Sequence, residues 1–184
     1  MTKRIIGAVI AGILIMAWQT LSHTALQLHT SQEQYTPNQD AILKVLSENL
    51  NKKGQYFLPN VPPGTSMEEM EKVMATHMGK PQASILYNPV MDYNMGANIG
   101  KGLATNILLG VILVWLLGKL KVQTFVNIFA TCVSLAFIMF CFYPYPGYIW
   151  YKTEGIEIEL LDGLMAFGLA GAWLGWWMPR KAKR

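Results

Sequence analysis

The sequence predicts a mainly α-helical, polytopic membrane protein: four transmembrane helices with both termini inside, plus a small α+β extracytoplasmic segment between helices 1 and 2. Three observations lead there. The chain is 52% hydrophobic and only 14% charged over its 184 residues, where soluble domains carry roughly 25% charged residues. Four apolar runs are each long enough to cross a hydrocarbon core about 30 Å thick, which takes about 20 helical residues. The charges are also sorted by side.

The four runs are Ile5 to Ser22, Gly96 to Leu117, Val122 to Tyr143 and Leu160 to Met178. Backbone groups in lipid must be satisfied within their own segment, so each run is expected to be a helix. With the N-terminus inside, the inner segments hold Lys3, Arg4, Lys119, Lys121, Arg180, Lys181, Lys183 and Arg184 and no acidic residue. The other seven basic and all eleven acidic residues fall outside, a net of −4 there. Lysine and arginine stay on the cytoplasmic side, so the N-in, C-in arrangement follows. This divides the chain into a first transmembrane helix (1–23), an extracytoplasmic segment (24–95) and a three-helix part with a basic tail (96–184).

Lys3-Arg4 before an apolar run resembles a signal peptide. The run is long for that and no small-x-small cleavage site follows, so a retained anchor is expected. The basic tail reads as a stop signal and a contact for anionic lipid. No aromatic-basic interleaving accompanies it, so no nucleic-acid partner is expected.

In the extracytoplasmic segment, Thr36-Pro37-Asn38-Gln39 predicts a helix start, with threonine as cap and proline at the first position. Ile42, Leu43, Leu46 and Leu50 recur at helical spacing until Gly54. Tyr56-Phe57-Leu58 is a short strand candidate. Ser66 with Glu69 makes a capping box that opens a second helix, ending near Gly79-Lys80-Pro81. Ala83 to Tyr87 is a second strand candidate; if the strands pair in parallel, the helix between them is a right-handed crossover. So small a unit buries little core and is expected to rest on the membrane helices or on a partner.

The next outer loop carries Tyr143, Tyr145, Tyr148, Trp150 and Tyr151, interrupted by Pro144, Pro146 and Gly147. It reads as an interfacial aromatic belt, with a sugar- or quinone-facing platform as the sharper alternative. Trp173, Trp176 and Trp177 are expected to anchor the inner end of the fourth helix in the same way.

Candidate chemistry concentrates in the outer leaflet. Asn94, Asn98, Lys101 and Thr105 fall within about 60° of one another at 100° per residue. Lys101 could pair with Glu159 or Asp162, and Gln19, Ser22 and His23 end the first helix at similar depth. Ionisable groups in lipid usually face a bundle interior or water. A polar cluster of Gln19, His23, Asn98, Lys101, Thr105, Glu159 and Asp162 is therefore expected, serving as a pocket or proton path, or as an ion pair beside a snorkelling lysine. Small and weakly polar residues form stripes on the third helix (Thr124, Asn127, Thr131, Ser134, with Cys141) and on the fourth (Gly168, Gly171, Gly175). Such stripes let membrane helices approach closely, within one bundle or against a partner. The cysteines Cys132 and Cys141, nine residues apart, lie on opposite helix faces.

No metal or other cofactor is expected. His23 and His29 lack a second ligand at HxxxH or HxxE spacing. His77 with Met74 and Met78 would suit Cu(I), but Met67, Met70, Met74 and Met78 also form the apolar face of an amphipathic helix. No GxSxG, Walker or GxGxxG motif occurs. Glu68-Glu69, Glu157 and Glu159 complement helix dipoles.

Trp18 with Ser22-His23, Pro37-Asn38 with Ala41-Ile42-Leu43, and Gly54-Gln55-Tyr56-Phe57-Leu58-Pro59 together resemble a family of small bacterial four-helix membrane proteins. The likeness covers mainly the first third of the chain, and the methionine-rich helix departs from the family's plainer outer segment. It implies a bacterial inner membrane and transfers no activity or site residues. The sequence is thus read as a non-catalytic accessory or scaffold subunit of a larger inner-membrane complex, with the lipid bilayer and other membrane subunits as partners. The alternatives are a small transporter or ligand sensor built on the polar cluster, and extracytoplasmic copper handling.

Overall fold

The computed structural model describes residues 1–179, so the basic residues of the tail, Arg180, Lys181, Lys183 and Arg184, lie outside the described residues. In chain order the elements are α1 (Thr2–Thr20), α2 (Gln39–Asn49), β1 (Gly54–Leu58), α3 (Met67–His77), β2 (Ala83–Tyr87), α4 (Met95–Leu117), α5 (Phe125–Phe142), α6 (Pro144–Tyr151) and α7 (Ile156–Trp177). They form two units: one of Met1–Gln34 with the chain from Asn94 onward, the other of Tyr35–Tyr93.

In the first unit, four helical stretches are long and apolar enough to cross a membrane: Thr2–Ala25, Met95–Leu117, Phe125–Tyr151 and Ile156–Trp177. At about 1.5 Å per residue, each exceeds the hydrocarbon thickness. They pack in the order α4–α1–α7–α5, while α4 and α5 barely touch. Each neighbouring pair is antiparallel. The close approaches Ala8–Gly110 and Gly12–Asn106 join α1 to α4, and Gly171 and Gly175 meet Cys132 and Phe125 across α7 and α5.

Small residues explain this order. Ala8 and Gly12 give α1 a flat face at i, i+4 spacing toward α4, where Asn106 and Gly110 give the matching one, and Gly7 lies against Leu174 and Trp177 of α7. A Cβ at Gly110 would overlap the Ala8 carbonyl, and one at Gly12 would lie 2.6 Å from the Asn106 carbonyl oxygen. The buried core runs through Ala8, Ala11, Ile15, Leu113, Leu117, Ile128, Cys132, Ala170 and Leu174. Two indoles add fixed points. Trp173 donates to the Gly7 carbonyl at 3.0 Å and Trp177 to the Lys3 carbonyl at 2.7 Å. These two tryptophans therefore bind α7 to α1, and only Trp176, 70% exposed, fits the expected belt.

The aromatic segment after α5 is a helix, where a loop was expected. Pro144 stands at its first turn, where a missing N–H costs nothing, and Lys152 closes it in the left-handed region at φ 54°.

In the second unit, β1 and β2 pair antiparallel from Gly54↔Tyr87 to Leu58↔Ala83, so the parallel crossover does not arise. The capping box of α3 forms as expected: Ser66 Oγ accepts from the Glu69 amide, and the Ser66 amide donates to Glu69 Oε2. Helix α2 starts two residues later than Thr36 predicts. Asn38 is its cap, and Thr36 Oγ1 accepts from the Asn38 amide at 3.3 Å. None of its residues is buried, and Ile42, Leu43 and Val45 are each about half exposed.

Candidate functional site

The polar constellation of the first unit is built where α1 stops being regular. The Leu26 amide reaches back five residues to the Leu21 carbonyl at 2.9 Å, giving a π turn over Leu21–Ala25. Gln27 follows in the left-handed region at φ 49°. Single π turns and non-glycine left-handed residues persist where surrounding structure demands them, frequently at functional sites. Their effect here is concrete: the chain folds back and His29 stacks on His23, with ring centroids 3.8 Å apart.

His29 then faces Asp162 on the second turn of α7. Its Nε2 lies 2.9 Å from Asp162 Oδ2, and the two side chains are only 8% and 17% exposed. The other carboxylate oxygen is separately occupied. Asp162 Oδ1 accepts from the Trp18 indole at 3.0 Å and from the Ser22 hydroxyl at 2.7 Å. Ser22 is completely buried.

The far side of the imidazole is held by Gln32. Its amide nitrogen points at three acceptors, the Glu154 and Gly155 carbonyls at 3.3 Å and Glu159 Oε1 at 3.1 Å. That environment orients the amide and leaves Gln32 Oε1 against His29 Nδ1 at 2.7 Å. When the ring is neutral its proton therefore sits on Nδ1, and when it is charged Nε2 also donates, to Asp162. Burial by itself lowers the His29 pKa, but the hydrogen bonds to Gln32 and Asp162 and the charges of Asp162 and Glu159 outweigh it. The net shift is above the ordinary 6.5.

Gly155 makes room for this clamp. It adopts φ +72°, and a Cβ there would lie 2.7 Å from Gln32 Cγ and Nε2. Gly155→Ala is expected to cost about 1–2 kcal/mol from the left-handed backbone alone. It should also loosen Gln32, read as faster amide exchange over residues 26–33. Exchange equal to that of the wild type would remove Gly155 from the clamp.

Ser22, His29 and Asp162 are not arranged as a serine nucleophile. In such a relay the acid holds Nδ1 and the hydroxyl faces Nε2. Here Ser22 and Asp162 share the Nε2 side, Gln32 holds Nδ1, and the buried Ser22 hydroxyl is donated to the carboxylate. What the arrangement can do is hold a cation: His23, His29 and Asp162 each offer one ligand atom, all within 4.8 Å of one another.

Of the expected polar cluster, the structure brings together His23, Glu159 and Asp162. Gln19 instead accepts from the buried Asn106 at 2.7 Å. Asn98, Lys101 and Thr105 are exposed, and Lys101 makes no ion pair among the described residues. The reason is helical phase. Asn106, Gly110, Leu113 and Leu117 turn toward α1, which leaves the Asn98–Lys101–Thr105 stripe about 110° away around α4 at 100° per residue. Asn94 serves as the helix cap, accepting from the Ala97 amide.

The stripe on α5 is also spent locally. Thr124 accepts from the Asn127 amide, Asn127 donates to the Val122 carbonyl, and Thr131 donates to the Asn127 carbonyl. Ser134 is exposed. The face that packs on α7 is Ile128, Cys132, Ala136 and Phe140, and Cys141 is exposed on the other side. On α7, Gly171 and Gly175 receive Cys132 and Phe125, whereas nothing approaches Gly168. In the second unit, His77 Nδ1 is bonded to the Val73 carbonyl at 2.9 Å. Helix α3 ends at His77, and Met78 is extended and 80% exposed. Met74 and His77, three residues apart, lie within α3, whereas Met78 lies past its end.

Sequence reasoning passed over Gln32 and the buried Asn106, and it weighed His29 with His23 as metal ligands and set both aside. The available signal for Asn106 was an amide in the middle of an apolar run. For His29 there was none at regular helical spacing. Comparison with protein-family models, with curated proteins and with solved structures gave no match.

Proposed function

We propose that this chain is a non-catalytic subunit of a larger membrane assembly in a bacterial inner membrane, with both termini in the cytoplasm and residues 24–95 outside. The observation that carries the reading is the state of the second unit. Ile42, Leu43, Val45, Leu86, Val90 and Met91 are 47–89% exposed, and α2 buries none of its residues. Apolar side chains exposed on the membrane helices are covered by lipid; those of a segment in water need another cover. A neighbouring subunit supplies it.

Two further features support the reading. Among the described residues, no buried side-chain nitrogen or oxygen lacks a hydrogen-bond partner, so the polar groups of the first unit already bond one another. The orientation rests on the eight basic residues of the inner segments against the net −4 outside. Within the first unit, Lys3, Arg4 and Gln123 line one small cavity with Trp177 and Met178, a closeness of the two ends that supports a shared side for both termini.

The test uses a photo-crosslinking residue at Leu43 in native membranes. Leu43 is expected to join one defined membrane protein that also co-migrates with the chain in mild detergent. A monomer that crosslinks only to itself or to lipid would overturn the subunit reading. Labelling of a thiol introduced at Asn60 only from the cytosolic side would overturn the orientation.

A further inference from the structure

We propose that His23, His29 and Asp162 form a binding site for a divalent cation of the zinc class, at the end of the first unit where α1 turns back against α7.

With Gln32 Oε1 taking the Nδ1 proton, a neutral His29 turns an unprotonated Nε2 toward Asp162 Oδ2, 2.9 Å away. Two acceptors at that separation require a positive charge between them: a proton on Nε2, or a metal ion that replaces it. The site is also prepared for the second case. Metal-ligating histidines characteristically have the other ring N–H held by an acceptor, and ligating carboxylates are themselves hydrogen-bonded. Gln32 does the first, while Trp18 and Ser22 do the second on Oδ1 alone, leaving Oδ2 for the ion.

His23 completes the set. It is stacked on His29 and exposed, so its ring can swing without disturbing the core. Two imidazoles and one carboxylate, with a fourth position open to water, suit zinc. With Zn–N and Zn–O distances of about 2.0–2.2 Å, tetrahedral ligand atoms lie about 3.3 Å apart. The His29–Asp162 pair therefore has to open by about 0.4 Å. Uptake releases the proton from Nε2 and involves no redox change.

The full chain, purified in mild detergent, stripped with EDTA and titrated with zinc against a chromogenic chelator, should take up one ion. Cobalt should give the visible spectrum of a tetrahedral site. His23→Gln removes an exposed ligand and leaves the fold intact. Asp162→Asn keeps the local shape, since its oxygen can still accept from Trp18 and Ser22 and its amide can donate to His29 Nε2. Both are expected to weaken zinc by more than the about 10–100-fold that an outer-shell change costs, whereas His77→Gln should bind like the wild type. No stoichiometric uptake at micromolar free zinc, unchanged affinity in His23→Gln, or loss in His77→Gln would each overturn the site. None of these results bears on whether Leu43 meets a partner subunit.

Discussion

In metal-free protein, Asp162→Ala is expected to lower stability by about 3 kcal/mol, the low end for breaking a buried ion pair, because Asp162 keeps 17% of its side chain exposed. The loss has a definite origin. Three donors, the Trp18 indole, the Ser22 hydroxyl and His29 Nε2, converge on one carboxylate, and two of them belong to buried residues. Removing the acceptor leaves those groups desolvated and unpaired, which costs more than the bonds were worth net. Asp162→Asn discriminates charge from shape. It can satisfy the same three neighbours with neutral His29, so a loss of only about 1 kcal/mol is expected. Thermal unfolding in detergent, followed by tryptophan fluorescence, measures both. Equal losses for alanine and asparagine would mean that the carboxylate charge, rather than the bond pattern, holds α1 to α7.

Gly110→Ala should be the most damaging single-methyl change in the first unit. The added Cβ would fall on the Ala8 carbonyl, close to the Gly12 amide. These are backbone atoms of a packed helix, which cannot rotate aside. Overpacking costs about 1–3 kcal/mol in typical cores, and about 3 kcal/mol is expected here because α1 and α4 must separate along their whole crossing. Gly168→Ala is the control: nothing lies within 4 Å of its Cβ position. There the gain in helix propensity, about 0.5–1 kcal/mol, should appear as unchanged or slightly higher stability. A disulfide reporter between α1 and α4, or thermal unfolding, reads the pair. Comparable behaviour of the two variants would refute the close crossing.

The spans were legible because length and apolarity are properties of single segments, and so was the Ser66–Glu69 capping box, whose partners are three residues apart. Helix phase was legible only in part. Gly171 and Gly175 do pack, but the stripe chosen on α4, from Asn98 to Thr105, follows its polar side chains, whereas the crossing follows Asn106 and Gly110, where two backbones can approach. The cation site was not legible for a different reason. Residue spacing translates into geometry only while the backbone stays regular, and between His23 and His29 it passes through a π turn and a left-handed Gln27. The remaining ligand, Asp162, arrives from 133 residues away.

The order in which the membrane helices pack has a consequence for biogenesis. Consecutive elements are usually neighbours in space, yet α4 and α5 barely touch, and α1 finds its two neighbours only in α4 and α7. Helix α1 carries the glycine-alanine face and the buried Ser22, whose acceptor Asp162 lies 140 residues further along the chain. Chains ending before Ile156 would insert three helices but hold them by the α1–α4 crossing alone. The row α4–α1–α7–α5 is therefore closed by α7, the latest of the four spans in chain order, which takes its place between α1 and α5.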